Sequence, residues 1–269
     1  MSSVPGTSAP LAFITGASSG IGQALALRCA RAGYRLALVA RRSEELQAWV
    51  DAQGWDAQRC RVYRADVADI DGIVQAGLSC LEQQGVPEVV VANAGISIGM
   101  DTTEREDLAV MARTFATNNT GMAATFHPFV AAMRARGSGR LVGIASVAAI
   151  RGLPGHGAYC ASKAAVVAYC ESLRGELRGS GVRVVTLLPG YVDTPLTREN
   201  RYAMPFLLSP EVFADRAFAA IEAGSSYRVI PWQMGMVAKL LRLLPNAWFD
   251  RLLAGRARKH RQGQGKPAS

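Results

Sequence analysis

Short apolar segments alternate with longer segments of helical periodicity along most of the chain, and this alternation restricts the fold most strongly. Six apolar segments are rich in Val, Ile and Leu, and a seventh is weaker: 11–15, 35–40, 60–65, 88–93, 140–146, 182–189 and 227–231. The segments between them predict helices over 20–32, 43–53, 69–84, 104–135, 157–179 and 210–223. Strands that alternate with helices form right-handed crossovers. The predicted fold is therefore an α/β doubly wound parallel sheet of about seven strands, with helices on both faces.

Length and composition fit one packed domain followed by a short extension. The chain has 269 residues, of which 49% are hydrophobic and 19% charged, a balance typical of a soluble protein with a sizeable core. No internal repeat and no linker rich in Pro, Gly and Ser divides it. The predicted organisation is a flexible N-terminus over 1–9, the α/β domain over 10–231, an amphipathic helical extension over 232–261 and a basic flexible tail over 262–269.

The sequence predicts a cytoplasmic protein without a metal site. The N-terminus has no basic region followed by an apolar run, so it does not resemble a signal peptide. The five cysteines are odd in number and contain no C-x-x-C pair, which is typical of buried thiols in a reducing compartment. The three histidines lack ligand spacing, and we therefore predict no bound metal.

The net charge of +9 is concentrated at the C-terminus. No acidic residue follows Asp250, whereas six cations do: Arg251, Arg256, Arg258, Lys259, Arg261 and Lys266. The remainder of the chain carries only about +3. Because the tail has no interleaved aromatic residues and follows no nucleic-acid-binding module, we predict no nucleic-acid partner.

A glycine-rich turn, TGASSGIG at 15–22, directly follows the first predicted strand. Its glycines let the backbone turn tightly and approach a pyrophosphate, which the N-terminal N–H groups of the next helix would bind. After the first strand of such a series, this turn favours a dinucleotide over an ordinary loop. The predicted cofactor-binding residues of the turn are Gly16, Ser18, Ser19, Gly20, Ile21 and Gly22.

Two arginines at the end of the second strand indicate which dinucleotide is bound. Folds that prefer NAD place an acidic residue there to hold the 2′-hydroxyl of the adenosine ribose, but this chain has Ala40 followed by Arg41 and Arg42. A guanidinium instead suits the 2′-phosphate of NADP. Arg41 is the stronger candidate, and the alternative is a pair of solvated arginines at a helix start. We predict NADP(H) as the cofactor.

The next strand ends supply further candidates, because a doubly wound sheet binds its ligand at the carboxyl ends of its strands. After the third strand, Asp66 and Val67 could read the adenine edge through a carboxylate and a backbone N–H. After the fourth, Asn93, Ala94 and Gly95 fit a backbone pressed against the cofactor.

The fifth strand ends at Ser146, and Tyr159 and Lys163 follow in an alanine-rich, helix-favouring run. Helical residues four apart share a face, so the phenol and the ammonium should lie side by side. A free phenol has a pKa near 10, too high for efficient acid–base catalysis at neutral pH, and a neighbouring ammonium favours its ionised form. The spacing therefore predicts that Lys163 lowers the pKa of Tyr159.

These motifs together resemble the short-chain dehydrogenase/reductase family of single-domain Rossmann-fold enzymes. T-G-x-x-x-G-x-G, N-A-G, Ser with Tyr-x-x-x-Lys, and PGYVDT at 189–194 occur in the family's order over roughly residues 10–231. The resemblance implies that Ser146 donates to the substrate oxygen and that Lys163 also binds the nicotinamide ribose. It further implies that Asn118 extends a proton relay, with Asn119 as the alternative.

The resemblance also implies contacts to nicotinamide after the sixth strand. Pro189 and Gly190 would flank the ring, and Val192 and Thr194 would anchor its carboxamide. Substrate-pocket candidates are Ala148, His156 and Tyr191. The segment 202–208 lies where the family has a mobile lid, although an ordinary core segment is an equal alternative.

The predicted function is an NADP-dependent oxidoreductase that interconverts a ketone and a secondary alcohol, as a carbonyl reductase of a hydrophobic small molecule. The alternative is a catalytically silent dinucleotide-binding sensor or scaffold, which the retained Ser146, Tyr159 and Lys163 disfavour. We expect a homodimer or homotetramer, as the resemblance implies.

Beyond residue 231 the sequence predicts two short amphipathic helices separated by Pro245. Val237, Leu240, Leu241 and Leu244 would form the apolar face of the first, opposite Lys239 and Arg242, and Asn246 would cap the second, which carries Trp248, Phe249, Leu252 and Leu253. These helices could pack on the domain, form a subunit interface or lie on an anionic membrane. The cationic tail behind them slightly favours peripheral membrane contact.

Overall fold

Seven parallel strands form one sheet in the order β3-β2-β1-β4-β5-β6-β7. The structure is a computed structural model that describes residues 9–198, 203–255 and 261. The strands are β1 Leu11–Thr15, β2 Arg35–Ala40, β3 Cys60–Arg64, β4 Val89–Ala92, β5 Gly139–Ile144, β6 Val182–Pro189 and β7 Tyr227–Ile230. The chain reverses its direction of strand addition between β1 and β4, which makes the carboxyl end of β1 the expected ligand position.

The helices cover both faces of the sheet, as the alternation predicts. They are α1 Gly20–Arg31, α2 Ser43–Ala52, α3 Ile70–Gln84, α4 Asp107–Phe115, α5 Gly121–Arg136, α6 Gly157–Glu176, α7 Pro195–Arg198, α8 Pro210–Glu222, α9 Trp232–Leu243 and α10 Asn246–Leu253. A short 3-10 helix covers Val147–Ala149. The doubly wound parallel fold is confirmed, with strand ends within two residues of those expected.

One predicted helix is interrupted. The segment 104–135 was expected to be continuous, but α4 and α5 are joined by a π-helical turn at Ala116–Thr120. The extra residue of a π turn changes which side chains face inward, and such turns are frequent at functional sites. Here the turn contains both candidate asparagines and buries Asn118.

The core of the described residues has two large apolar clusters, one on each side of the sheet, and a small third cluster of Met100, Val110 and Ala158. Alternate residues of β1 contribute to opposite clusters, with Ile14 on one side and Phe13 on the other. Helices α1 and α8 pack on the first side, and α3, α5 and α6 pack on the second. Because both faces are covered, the strands are almost continuously apolar. All five cysteines are buried and free, as predicted.

Helix α9 packs on the domain through residues outside the predicted apolar face. Met234, Gly235 and Ala238 of α9 are buried, whereas Val237 and Leu240 of the predicted apolar face are exposed. A Cβ atom at Gly190 would lie 2.8 Å from Cγ of Met234, so α9 sits directly on the backbone after β6. The small residues Gly235 and Ala238 permit this close approach.

Arg151 holds the two C-terminal helices together. Its guanidinium donates to the carbonyl oxygens of Leu241 and Leu244 (the latter at 2.7 Å), donates to Oδ1 of Asn246 at 3.1 Å, and lies 3.8 Å from the ring centre of Phe249. The predicted capping role of Asn246 is wrong: Pro245 occupies the N-cap position of α10, and the side chain of Asn246 accepts from Arg151 instead of capping the helix.

None of the helices in the described part of the chain combines the length and apolar character that crossing a membrane requires. The predicted segments 1–9 and 262–269 lie outside the described residues, apart from Ala9. The division into a domain over 10–231 and an extension over 232–261 stays a prediction, as do the cytoplasmic location and the homo-oligomer.

Candidate active site

The glycine-rich turn after β1 is packed so closely that side chains are excluded. Gly16 and Gly20 have φ angles of 65° and 55°, which residues with a Cβ rarely adopt. A Cβ at Gly20 would lie 3.0 Å from Cγ2 of Thr194, and one at Gly22 would lie 2.2 Å from the carbonyl oxygen of Gly16. The turn therefore brings bare backbone to the edge of the sheet, where α1 begins.

Thr15 and Asn93 fix this turn to β4. The side-chain amide of Asn93 donates to the carbonyl oxygens of Thr15 at 3.0 Å and Gly16 at 3.2 Å. The hydroxyl of Thr15 accepts from the backbone N–H groups of Asn93 and Ala94, at 3.1 Å and 3.2 Å. Asn93 thus supports the cofactor turn from behind.

Arg41 and Arg42 differ in their surroundings. The guanidinium of Arg41 lies 3.6 Å from a carboxylate oxygen of Asp66 across the ends of β2 and β3, and both side chains are exposed. Arg42 pairs instead with Glu45 of its own helix at 3.2 Å. Exposed pairs of this kind contribute little free energy, so Arg41 can exchange Asp66 for an anionic ligand at small cost.

Ser146 and Tyr159 lie together at the end of β5. The hydroxyl oxygen of Ser146 accepts a hydrogen bond from the N–H of Ala148 at 3.1 Å and is hydrogen-bonded to the phenol of Tyr159. Burial raises the pKa of Tyr159 above its ordinary value, and the hydrogen bond with Ser146 opposes that shift. The two hydroxyls are close enough to contact one substrate oxygen.

Lys163 is buried with its amine directed at the sheet. Its Nζ donates to the carbonyl oxygen of Ile144 at 2.8 Å and lies 5.8 Å from the ring centre of Tyr159. Burial lowers the pKa of Lys163 to about 8. The predicted lowering of the Tyr159 pKa by Lys163 is therefore not observed. Desolvation raises the pKa of the Tyr159 phenol, and it also favours the neutral form of the Lys163 amine.

Asn118 is buried in the π turn, and both the oxygen and the nitrogen of its side-chain amide form hydrogen bonds with neighbouring groups. Its Oδ1 accepts from the N–H of Ile96 at 2.8 Å, and its Nδ2 donates to the carbonyl of Ile96 at 3.0 Å and to Oγ of Ser162 at 2.9 Å. A Cβ built at Gly95 would lie 3.2 Å from Asn118 Oδ1 and 3.4 Å from Lys163 Nζ. Asn118 thus fixes the chain after β4 beside the lysine.

The alternative asparagine, Asn119, turns toward helix α6. Its Nδ2 donates to the carbonyl oxygen of Ser162 at 2.8 Å, and its buried Oδ1 has no hydrogen-bond partner among the described residues. The side chain of Asn118 bonds to Ile96 and Ser162, and the proton relay assigned to it stays a prediction.

One cleft at the carboxyl ends of the strands collects nearly all predicted cofactor-binding residues. They are Gly16, Ser18, Ser19, Gly20, Ile21, Arg41, Arg42, Asp66, Val67, Asn93, Ala94, Gly95, Tyr159, Lys163, Pro189, Gly190, Val192 and Thr194, together with the catalytic candidate Ser146. Gly22 is buried behind the turn instead of lining the cleft. Strand ends that are far apart in the sequence thus form one continuous surface.

Several lining residues were missed by the sequence analysis. Besides strand-end residues next to predicted ones, they include Ile96, Thr117, Pro195, Leu196 and Thr197. The hydroxyl of Thr197 accepts from the N–H of Thr194 at 3.1 Å and donates to the carbonyl of Val192 at 2.6 Å, so it shapes the loop after β6. The threonine-rich start of α7 was the available signal.

The three substrate-pocket candidates do not line this cleft. His156 is buried at the N-cap position of α6, and its Nδ1 lies 3.2 Å from the carbonyl oxygen of Pro154, where it serves the loop before the helix. Ala148 belongs to the 3-10 helix after Ser146. Tyr191 accepts a backbone hydrogen bond from Leu208 at 3.0 Å. Their assignment to the substrate stays a prediction.

The predicted lid segment 202–208 is described from residue 203 onward. Leu208 is bridged to Val192, and Asp193 donates a backbone hydrogen bond to Leu208 at 2.9 Å. Phe206 and Leu207 are exposed, and Phe206 has a φ of 58°. The described part of the segment is therefore a mostly exposed turn that is attached to the loop after β6 through Leu208, which does not fit an ordinary core segment. A lid role stays a prediction.

The donor set of the cleft fits a phosphorylated dinucleotide. Bare backbone at Gly16 and Gly20 leads into the N-terminus of α1, which attracts a pyrophosphate. Arg41 offers a cation at one end, and Ser146 with Tyr159 offers hydroxyls at the other. No group of three potential metal ligands occurs within the described ranges.

Comparison with known proteins agrees with this geometry. The family model described as short chain dehydrogenase matches residues 10–204. The chain belongs to the short-chain dehydrogenase/reductase family. An uncharacterized oxidoreductase of Myxococcus xanthus is 38% identical over 239 residues, which cover 89% of this chain and 94% of the relative.

Two further proteins that the chain resembles carry more specific names. The 2-(R)-hydroxypropyl-CoM dehydrogenase of Xanthobacter autotrophicus is 35% identical over 70% of this chain and 76% of its own length. The structure of an alcohol dehydrogenase from Thermococcus sibiricus, complexed with 5-hydroxy-NADP, matches with a TM-score of 0.70 and 27% identity over 82% of this chain and 95% of its own. The family is one of NAD(P)-binding oxidoreductases.

Proposed function

We propose that this protein is an NADP-dependent carbonyl reductase that interconverts a hydrophobic ketone and its secondary alcohol. The observation that carries the proposal is the convergence of the hydrogen-bonded pair Ser146–Tyr159 and the buried Lys163 on the cleft that begins at the glycine-rich turn. A reducible carbonyl and a nicotinamide ring would meet at that point.

Side chains of the protein would supply the proton and hold the carbonyl oxygen in place for its transfer. Bound NADP(H) supplies or accepts the hydride. The hydroxyls of Ser146 and Tyr159 bind the carbonyl oxygen, and Tyr159 donates its phenolic proton as that oxygen gains negative charge. In the reverse direction the phenolate takes the proton of the alcohol, so one proton and one hydride are exchanged in each turnover.

Lys163 positions the reaction and is available for proton exchange near neutral pH. A lysine with a pKa of about 8 exists in both protonation states under ordinary conditions. Its bond to Ile144 fixes the amine between the end of β5 and the neighbourhood of Gly95, where the ribose of the cofactor would lie. Loss of this side chain should therefore reduce both turnover and cofactor affinity.

The preference for NADP over NAD rests on the end of β2. Ala40 leaves that position without a carboxylate, and Arg41 lines the cleft beside it with a guanidinium that Asp66 holds only weakly. The alcohol dehydrogenase described above was crystallised with an NADP derivative, and we infer the same phosphate preference for this chain.

A hydrophobic substrate is inferred from the apolar side chains at the mouth of the cleft. Leu196 lines the cleft and is exposed, and Phe206 and Leu207 are exposed on the segment that pairs with Val192. The hydroxypropyl group in the name of the Xanthobacter relative is a secondary alcohol, which supports a ketone–alcohol pair. A hydrophobic ligand that extends beyond the cleft would bury the side chains of Leu196, Phe206 and Leu207.

The proposal is tested by a substrate panel with NADPH oxidation as the readout. Aliphatic, aromatic, steroid-like and acyl-thioester ketones are compared with matched aldehydes, using the wild-type protein and Tyr159→Phe. We expect turnover of at least one hydrophobic ketone that Tyr159→Phe loses. Cofactor binding without turnover of any panel member would instead favour the alternative, a silent dinucleotide sensor.

A further inference from the structure

Helices α9 and α10 expose most of their large apolar side chains. On α9, Trp232, Met236, Leu240 and Leu243 follow helical spacing, and Leu243 is 81% exposed. On α10, Trp248 and Leu252 lie one turn apart and are likewise exposed. We call these six residues the C-terminal apolar surface.

Packing within the chain does not account for this surface. The opposite side of α9 already buries Met234, Gly235 and Ala238 against the domain, and Phe249 of α10 is buried against Arg151. Rotating α9 to bury Leu240 would expose Met234 and break its contact with Gly190. The anchored face and the C-terminal apolar surface are therefore separate parts of the same helix.

Cations border the C-terminal apolar surface. Lys239 lies three residues after Met236 and four before Leu243, so it is adjacent to the exposed stripe, and Arg242 follows one turn later. Both are exposed, and neither is paired with a carboxylate in the described part of the chain. In the sequence, only cations follow Asp250.

We propose that the C-terminal apolar surface docks on the surface of a bilayer that contains anionic lipid. An interfacial helix combines an apolar stripe with flanking Lys or Arg, and tryptophan prefers the boundary between acyl chains and headgroups. Trp232 and Trp248, 63% and 72% exposed, occupy that boundary position in the docked protein. Lys239 and Arg242 contact the anionic headgroups.

Charge selects a membrane over a second copy of the chain. In a two-fold dimer the same patch is used by both subunits, so the cations beside Met236 and Leu243 would be brought toward their own copies. An anionic lipid surface instead attracts those cations. Because α9 also covers Gly190, which lines the cleft, docking holds the candidate active site close to the lipid.

Flotation of the full-length protein with vesicles tests the docking. Phosphatidylcholine vesicles with and without phosphatidylglycerol are compared at low and high salt. We expect flotation only with phosphatidylglycerol, weakening as salt increases. Leu240→Glu with Leu243→Glu should abolish flotation, whereas the matched double variant Leu78→Glu with Leu108→Glu, at exposed positions of α3 and α4, should float like the wild type.

The charge requirement is measured with a second pair of variants that leaves the apolar stripe intact. Lys239→Gln with Arg242→Gln should weaken partitioning about 25-fold, since each cation near an anionic surface contributes about 1 kcal/mol, or about fivefold. Arg174→Gln with Arg178→Gln is the control and should change nothing, since Arg174 is exposed on α6 and Arg178 is exposed in the turn that follows it. Unfolding temperature and NADPH binding verify that each variant is folded.

Three results would overturn the proposal. The wild-type protein could stay in the unbound fraction with both vesicle types, or the Leu240/Leu243 variant could float unchanged. In the third, light scattering would show a wild-type oligomer that the same variant dissociates, which would assign the surface to a second copy. A blue shift of tryptophan emission on vesicle addition, lost in Trp232→Phe with Trp248→Phe, supports docking directly.

Discussion

The two ends of the cleft present different parts of the chain: backbone at the cofactor end and side chains at the reaction end. At the cofactor end, the chain brings backbone to the ligand and excludes side chains: a Cβ at Gly22 would lie 2.2 Å from the carbonyl oxygen of Gly16. At the reaction end, the hydroxyls of Ser146 and Tyr159 and the amine of Lys163 carry the proposed chemistry. Adding an atom should therefore damage the first end, and removing one should damage the second.

The difference also separates binding from turnover. The cofactor end is fixed by hydrogen bonds that the side-chain amide of Asn93 donates to backbone carbonyls and that the hydroxyl of Thr15 accepts from a backbone N–H, so its shape does not depend on the substrate. The reaction end includes Leu196 of α7, which lines the cleft and is exposed. Variants at the two ends should accordingly alter different measured quantities.

The largest effect is expected from Tyr159→Phe, which removes one oxygen at the reaction end and little volume. Turnover should fall by about 10²–10⁴-fold, the usual contribution of a general acid, while NADPH affinity stays nearly unchanged. Steady-state rates and a fluorescence titration of NADPH measure the two effects. Tyr169→Phe, on the exposed side of the same helix, is the control. Retention of more than about a tenth of the activity would contradict the proposed proton transfer.

The next effect concerns the one side chain that the cofactor end does use. Ala40→Asp with Arg41→Ala should shift preference from NADPH toward NADH, because a charge-assisted contact to phosphate contributes about 1.5–3 kcal/mol, or about 10–150-fold in affinity. Arg42→Ala is the matched control, since Arg42 pairs with Glu45 of its own helix. Equal affinity of the wild-type protein for both cofactors would exclude this role of Arg41.

A smaller loss is expected when one methyl group is added at the cofactor end. Gly22→Ala should destabilise the protein by about 1–3 kcal/mol, the usual cost of overpacking, and weaken cofactor binding because Gly16 must move. The unfolding temperature should fall by about 2–4 °C for each kcal/mol of lost stability in a domain of roughly this size. Gly175→Ala, where a Cβ meets no neighbouring atom, should not be destabilised. Equal unfolding temperatures would mean that the turn can relax.

The cofactor end could be predicted from the sequence because it depends on local backbone geometry. Only glycine permits the turn at Gly16 and Gly20, and the apolar run of β1 determines where that turn begins. Strand alternation then brings Arg41 and Asp66 to the same sheet edge. Each step depends on neighbouring residues or on the direction of parallel strands, and both are encoded in short segments.

The reaction end and the extension depend on contacts between distant segments, which no short pattern specifies. The bonds of Arg151 to the carbonyls of Leu241 and Leu244 join segments about ninety residues apart. They join α9 to the segment after β5, whereas the amphipathic pattern left open whether α9 packs on the domain, on a subunit or on a membrane. Likewise, Asn118 in the π turn bonds to Ile96 and Ser162, contacts between distant segments that helix propensity does not specify.

The smallest effect is a pH dependence that distinguishes a buried amine from an exposed one at the reaction end. Burial lowers the pKa of Lys163 from its ordinary value to about 8. Between that value and the unfolded value near 10.4, the unfolded chain binds the additional proton, so the lysine makes the free energy of unfolding rise with pH in this window. Below about pH 8 both states are protonated and the dependence ends.

Buried tyrosines and cysteines have raised pKa values, which make the free energy of unfolding fall with pH above pH 9. The difference between the wild-type protein and Lys163→Met removes their effect, because both proteins contain them. Without cofactor, the wild-type protein should gain stability relative to Lys163→Met between pH 8 and 9, by at most about 1.4 kcal/mol, the value of one proton per pH unit. Urea unfolding at both pH values measures it, with Lys239→Met as the exposed control. A difference independent of pH would mean that Lys163 keeps an ordinary pKa, and the reaction end would then hold a full positive charge beside Tyr159, as the sequence first suggested.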